Sequence, residues 1–257
     1  MVVTPTTWNP ADKAAGATLS NGNLTVVGTE SNGAARSVFG ASSGKWYWEY
    51  TSTGDRYPLC GVARATATIS DYPGADSDGW GWYSQGPTKH NGSVAAYGST
   101  WTSGQVVGVA MDLDNGTLEF FKGGVSMGVA FTNLSGTIYA MTGGDTNGGT
   151  SNTTANFGAT AFSYTPPAGF QAGFGEPLAT YALSGLVRNA SGTFAARTVR
   201  AFREDTGAFV GTAVSDGTTG AYSITTADTS AHTLVAYPAG GEALPALVLR
   251  GVVPIES

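Results

Sequence analysis

The stretch Gln105–Phe131, QVVGVAMDLDNGTLEFFKGGVSMGVAF, alternates apolar residues with small or polar ones around two turn signals. Asn115-Gly116 is the strongest short hairpin signal a sequence offers, because a type I′ turn needs φ > 0 at both central positions. Pairing across it sets Leu113 opposite Leu118, Met111 opposite Phe120 and Asp112 opposite Glu119. A second two-residue turn at Gly123-Gly124 sets Phe120 opposite Met127 and Leu118 opposite Val129. Both registers bring the same side chains to one face, with Val107, Val109 and Phe131 at its margins. A one-residue slip would turn that apolar set outward. A three-strand antiparallel meander is expected.

Outward from the meander, the 257-residue chain continues in the same manner. Segments of five to eight residues rich in Val, Thr, Tyr, Phe and Trp are punctuated by Gly, Asn, Asp and Ser, which means a sandwich or barrel. The best helix candidate is Pro10–Ala17, limited by Gly16. Charged residues make up only 12% of the chain, about half the roughly 25% usual for a globular domain. With 41% apolar residues there is material for a core, so a charged disordered chain is excluded. No heptad run suggests a coiled coil, and no apolar run approaches the roughly 20 residues of a membrane-spanning helix. A net charge of −6 with 12 scattered Lys and Arg argues against a nucleic-acid partner. The single cysteine, Cys60, has no disulfide partner within the chain and reads as an inert core thiol. The N-terminus shows no basic segment followed by an apolar one, so production in a cytosol is expected.

A Pro- and Gly-rich stretch near residues 165–180, TPPAGFQAGFGEP and beyond, breaks the strand pattern. All six tryptophans precede it, and the charge to residue 178 is 7 basic against 12 acidic. Two all-β domains are expected, 1–170 and 181–257, joined by a linker at 171–180.

Ordered motifs fill the first domain: Gly44-Lys45-Trp46-Tyr47-Trp48-Glu49-Tyr50, Cys60-Gly61-Val62-Ala63, Gly79-Trp80-Gly81-Trp82-Tyr83, then Ile138-Tyr139-Ala140-Met141, Ala155-Asn156-Phe157-Gly158 and Pro166-Pro167-Ala168-Gly169-Phe170. This series resembles a SPRY domain, a bent β-sandwich whose edge loops bind partners. Thr7-Trp8-Asn9-Pro10, Leu19-Ser20-Asn21-Gly22 and the run Val109–Leu118 are most similar to versions found in bacteriophage tail and fibre proteins. In the second domain, Ser184-Gly185-Leu186-Val187, Ala195–Ala201 and Thr219–Ile224 resemble the transthyretin-like, carboxypeptidase-regulatory-like (Ig-like) sandwich, with seven strands at roughly 182–188, 196–203, 208–214, 221–225, 232–237, 243–249 and 250–254.

The SPRY resemblance implies a binding module and brings no common catalytic residue, so candidates rest on chemistry. The loop Ala65–Gly79 carries Asp71, Tyr72, Asp76 and Asp78 and runs into Trp80 and Trp82. The next loop, Ser84–Ser99, offers His90, Asn91 and Tyr97 before Trp101. Aromatic faces beside carboxylates and amides suit a sugar ring; alternatively, Trp80 and Trp82 alternate with glycine because they fill the core. Arg197, Arg200 and Arg203 form a candidate docking strip or a charged, aggregation-resistant edge. Asp112 opposite Glu119 suggests a carboxylate pair of glycosidase type, and Asp76-Ser77-Asp78-Gly79 a hard-cation loop. Asp112–Gly116 does not fit an EF-hand, because its Gly is fifth and no Glu stands at position twelve. Catalytic residues, metals and cofactors are not expected.

These readings together imply a bacteriophage virion component, made in the host cytoplasm and homo-oligomeric in the particle. It would be a tail-fibre or tail-tip accessory bound to other virion proteins and to a host surface glycan or protein receptor. The alternatives are a purely structural decoration protein of capsid or baseplate and, after it, a glycan hydrolase.

Overall fold

The computed structural model describes residues 3–28, 33–53, 58–144, 151–178, 181–189, 191–237 and 247–256. The described residues are strands and connections, without an α-helix. The chain divides into two compact units, Met1–Pro177 and Leu178–Ser257.

In the first unit one sheet has seven strands in the order Ser93–Ala95, Thr88–His90, Gly79–Tyr83, Pro58–Ala63, Ile138–Gly144, Ala35–Ala41, Trp8–Lys13. A second sheet runs Val125–Phe131, Thr117–Lys122, Val106–Asp112, Lys45–Ser52, Ser151–Asn156, Thr25–Gly28, Ala17–Ser20, and Gln171–Ala172 adds parallel to Lys45–Ser52. The core between them is aromatic: Trp8, Trp48, Tyr50, Trp82, Trp101, Phe120, Phe157 and Phe174 are fully buried. Trp8 stacks on Tyr50 at 5.9 Å and meets Phe157 edge-on at 5.1 Å. Its indole N–H donates to Leu24 O at 2.9 Å, which satisfies the one polar group it carries inward.

The strand Lys45–Ser52 has no wet face. Trp46, Trp48 and Tyr50 enter the core, while Tyr47 and Glu49 are buried on the other side beneath the segment 159–164. There Phe162 and Phe121 meet the Tyr47 ring edge-on at 5.2 and 6.2 Å. Glu49, only 3% exposed, accepts hydrogen bonds from the amides of Ser163 at 2.8 Å and Tyr164 at 2.9 Å and from the Tyr47 hydroxyl at 3.2 Å. Its charge is thus solvated by the chain's own backbone.

The meander is present, with a corrected register. Met111 faces Leu118, Val109 faces Phe120 and Asp112 faces Thr117, so the first connection is a four-residue loop, Leu113–Gly116, instead of a two-residue turn. Gly116 has φ +67°, but Asn115 is not left-handed, which removes the type I′ geometry. Asp112 drives this: its carboxylate accepts the Asn115 backbone N–H at 3.0 Å and side-chain amide at 2.8 Å and pairs with Lys45 at 2.9 Å. A shift of two residues preserves which face is buried. The second turn is as expected, with both Gly123 and Gly124 left-handed and Lys122 opposite Val125. Register shifts follow it, so Val129 lies opposite Glu119 and is exposed instead of packing on Leu118. Glu119 therefore opposes Ala110 and Val129 and accepts a hydrogen bond from Ser126 Oγ; the carboxylate pair with Asp112 does not form.

Two further expectations change. The Pro10–Ala17 helix is absent: Trp8–Lys13 and Ala17–Ser20 are strands, with Asp12 drawn to the Arg36 guanidinium in two bonds of 2.8 Å. The linker at 171–180 is largely folded: Gln171–Ala172 pairs with Trp46–Tyr47, and Gly175–Pro177 with Val3–Pro5. Phe174, between them, fills the core against Trp48 at 4.8 Å.

The second unit comprises a three-strand sheet, Ala221–Thr226, Tyr181–Leu186, Ile255–Glu256, and a four-strand sheet, Phe209–Val214, Thr198–Arg203, His232–Tyr237, Leu247–Val252. Leu183 and Ile224 from one sheet meet Val199, Ala201 and Leu234 from the other in a single small core. The first five strands lie close to their expected positions. The expected 243–249 and 250–254 become one strand, Leu247–Val252, and a two-residue strand, Ile255–Glu256; residues 243–246 lie outside the described residues.

Candidate functional site

The candidate residues of the first unit converge on one end of the seven-strand sheet. In Gly79-Trp80-Gly81-Trp82 the alternation sends both tryptophans into the core, where they are 4% and 0% exposed, and leaves glycines on the outer face. That bare strip is where the loop 65–78 lies. A Cβ on Gly81 would meet Pro73 O at 2.4 Å, and one on Gly74, which has φ +98°, would meet Lys89 O at 2.1 Å. Only glycine permits so close an approach of backbone to backbone.

The loop's acids secure its own conformation. Asp76 accepts the Thr68 amide at 2.7 Å and the Asp78 amide at 2.9 Å. Asp78 accepts Thr66 Oγ1 at 2.6 Å and Arg64 at 2.9 Å, and these hydrogen bonds, Thr66 first, hold its carboxyl below the usual range. Asp71 accepts the Tyr72 amide at 2.9 Å. Asp76 and Asp78 are thus engaged within the loop, and among the described residues there is no group of three or more His, Cys, Asp or Glu that could hold a metal ion. Arg36 adds a tie from below, donating to Ala67 O at 2.6 Å.

The expected loop 84–99 is in part a hairpin, Thr88–His90 with Ser93–Ala95, turned by Asn91 (φ +50°) and Gly92 (φ +68°). Asn91 is thus a turn residue, and its amide donates to Asp76 O at 2.9 Å while Gly92 N donates to Gly74 O at 3.1 Å. His90 stacks on Trp80 at 5.1 Å and pairs through Nδ1 with Gly79 O at 2.8 Å; Arg64 also lies over Trp80, at 4.9 Å.

The sugar-stacking arrangement is not realised. Trp80 is covered, Trp101 is 1% exposed beside Trp82, and Tyr97 meets Trp82 edge-on at 5.7 Å. The Tyr97 hydroxyl donates to Gly128 O at 2.5 Å and accepts from Phe120 N at 3.2 Å; burial pushes it up to about 12. These rings have the ordinary fate of large aromatics in a two-sheet core.

What the surface presents instead is Tyr72, Tyr83 and Lys89, all half-buried. The Lys89 ammonium lies 5.2 Å from the ring centroids of both Tyr72 and Tyr83. Tyr83 and Lys89 escaped the sequence reading. Their signal was the same alternation: Lys89 pairs with Gly81 and so must face outward with it.

In the second unit the three arginines have separate local engagements. Arg203 pairs with Asp205 at 2.6 Å and Asp228 at 3.0 Å, Arg200 lies over the Tyr237 ring at 5.1 Å, and Arg197 donates to Ala196 O at 3.0 Å. They do not form the shared docking strip expected of them.

Residues 45–156 match the family model of the SPRY domain. The chain carries a SPRY domain. Ran-binding protein 9 of Xenopus tropicalis is 34% identical over 175 residues, 62% of this chain and 31% of that protein. The human Ran-binding protein 9 is 32% identical over 175 residues, 62% of this chain and 24% of that protein. The chain thus spans about a third or less of the length of these relatives. Among solved structures, the SPRY domain of human HERC1 superposes with a TM-score of 0.52 at 19% identity, over 58% of this chain and 96% of that one.

These relatives are proteins of eukaryotic cells, which overturns the expected virion function, the virion and host-receptor partners, and the localisation in a virus particle. The motifs that carried the phage likeness, the closing Pro-Pro-Ala-Gly-Phe among them, are core and turn devices of the fold: Trp8 is buried and Val109–Asp112 is a paired strand. Asn21, Gly22 and Asn23 are left-handed, and so are Gly116 and Gly169. Such residues report what the backbone requires, not the source of the chain.

Proposed function

We propose that the SPRY domain is a non-catalytic recognition module. It holds a segment of a cellular partner protein on the surface formed by the loop 65–78 and the hairpin 88–95. One observation carries this reading. The loop is fastened to the glycine strip and the hairpin by its own backbone and acid side chains, yet it leaves Tyr72, Tyr83 and Lys89 at the surface. Such a surface is ordered before a partner arrives, so binding loses little entropy. From the relatives named Ran-binding protein we carry across a binding role and a cellular protein partner, and not the partner's identity. The test is selection of yeast-displayed random dodecapeptides on the full chain. Enriched peptides should lose most of their binding to the double variant Tyr72→Ala, Val94→Ser. Failure to enrich any peptide, or binding indifferent to that variant, would overturn the proposal.

For the second unit we propose the transthyretin-like joining role that its motifs suggest, supported by facing sheets of four and three strands. An experimental structure with those strands in another order would remove it.

A further inference from the structure

Among the described cations of the SPRY unit, one lacks an acceptor. Lys13 donates to Ala17 O at 2.6 Å, Arg36 pairs with Asp12, Lys45 with Asp112, Arg64 with Asp78, and Lys122 donates to Thr100 O at 2.7 Å. The Lys89 ammonium makes no hydrogen bond or ion pair among the described residues; it has only the faces of Tyr72 and Tyr83. An ammonium carries three donors. Two aromatic faces attract it without accepting a hydrogen bond. Half-buried beside the two rings, it has no protein acceptor among the described residues.

Its surroundings specify more. Lys89 is paired with Gly81 on one side and with Val94 on the other. Val94 is exposed, and its strand, Ser93–Ala95, is the outer edge of the seven-strand sheet. Asp71 accepts the amide of Tyr72, and no ion pair joins it to Lys89 among the described residues.

We propose that Lys89 is the anchor of the recognition surface. It accepts an Asp or Glu carboxylate from an extended partner segment whose neighbouring apolar residue packs on Val94. This deepens the proposed recognition function and rests on it. The occupant follows from charge complementarity: a half-buried cation beside two rings, with no acceptor among the described residues, takes a carboxylate, and a charged hydrogen bond is the stronger kind. The surrounding unit carries an acid excess, 7 basic against 12 acidic residues to position 178. General attraction for acidic chains is therefore absent, and discrimination must come from this one position.

Two pools of fluorescent decapeptides test this, identical in apolar composition and differing only in a single central Glu or Gln, titrated against the full chain. The Glu pool should bind about tenfold more tightly, the scale of one charge-assisted contact. Lys89→Met should abolish that preference, Lys89→Arg should keep it, and 0.5 M salt should compress it. If both pools bind the native chain equally, or if Lys89→Met retains the preference, the anchor is refuted while the recognition function stands. If neither pool binds, both are refuted.

Discussion

Replacing Gly81 with alanine puts one methyl group between the sheet and the loop 65–78. Gly81 does not occupy a left-handed conformation, so alanine is permitted by the backbone, and reduced chain entropy would by itself stabilise by about 0.4–1 kcal/mol. Against this stands a contact of 2.4 Å between the new Cβ and Pro73 O. The opposing atom is backbone, so the loop must lift by roughly 1 Å to restore ordinary separation. Lifting it loosens Gly92 N to Gly74 O and Asn91 N to Asp76 O, each worth about 0.5–1.5 kcal/mol, and adds the overpacking strain of about 1–3 kcal/mol. The net expectation is a loss of about 2 kcal/mol, or roughly 4–8 °C in Tm for a unit of this size. Differential scanning calorimetry reads the Tm, and hydrogen–deuterium exchange should show faster exchange at 66–77 with the strand Lys45–Ser52 unchanged. An unaltered or raised Tm with unaltered exchange in the loop would refute the glycine-strip argument.

Other consequences follow from buried polar groups. Glu49→Gln leaves one carboxylate acceptor replaced by an N–H2 facing the backbone amides of Ser163 or Tyr164; a loss of about 2 kcal/mol is expected in urea unfolding. Burial pushes the Asp112 carboxyl up, but hydrogen bonds from Lys45 and Asn115 outweigh it and hold the group below its ordinary value; Asp78 is held low as well. With folded values depressed, the unfolded chain binds more protons in acid. Both contributions are therefore present above about pH 4 and lost as pH falls through the folded values. An acid titration followed by tryptophan fluorescence should show a shallower decline for Asp112→Asn. His232 is fully buried and neither ring nitrogen has a hydrogen-bond partner among the described residues. His232→Leu should leave the second unit's stability equal or raise it by about 1 kcal/mol, and a clear drop in its melting transition would contradict this.

Much of the fold was legible because period-two alternation and turn chemistry are local. Gly123-Gly124 produced the turn its residues demand, and Lys45–Ser52 proved buried on both faces as its aromatic run implied. Where the reading missed, a longer-range partner decided the outcome. Asp112 caps its loop with help from Lys45, sixty-seven positions earlier, and widens the turn that Asn115-Gly116 advertises. Phe174 and its neighbours look like linker until Trp48 is seen beneath them. The sequence draws the eye to the loop after Ala65 and to the tryptophans around it, but the conspicuous residues, Asp76, Asp78, Trp80 and Trp101, are engaged in holding the structure. Lys89 and Tyr83 draw attention only once strand pairing shows which face they share with Gly81.

The most direct test of the recognition surface is hydrogen–deuterium exchange of the full chain with and without a selected peptide. Added protection is expected in 65–78 and 88–95, with little change in 45–52 or 159–164. Protection confined to the second unit, or to the far end of the sandwich around Ala17–Ser20, would contradict it.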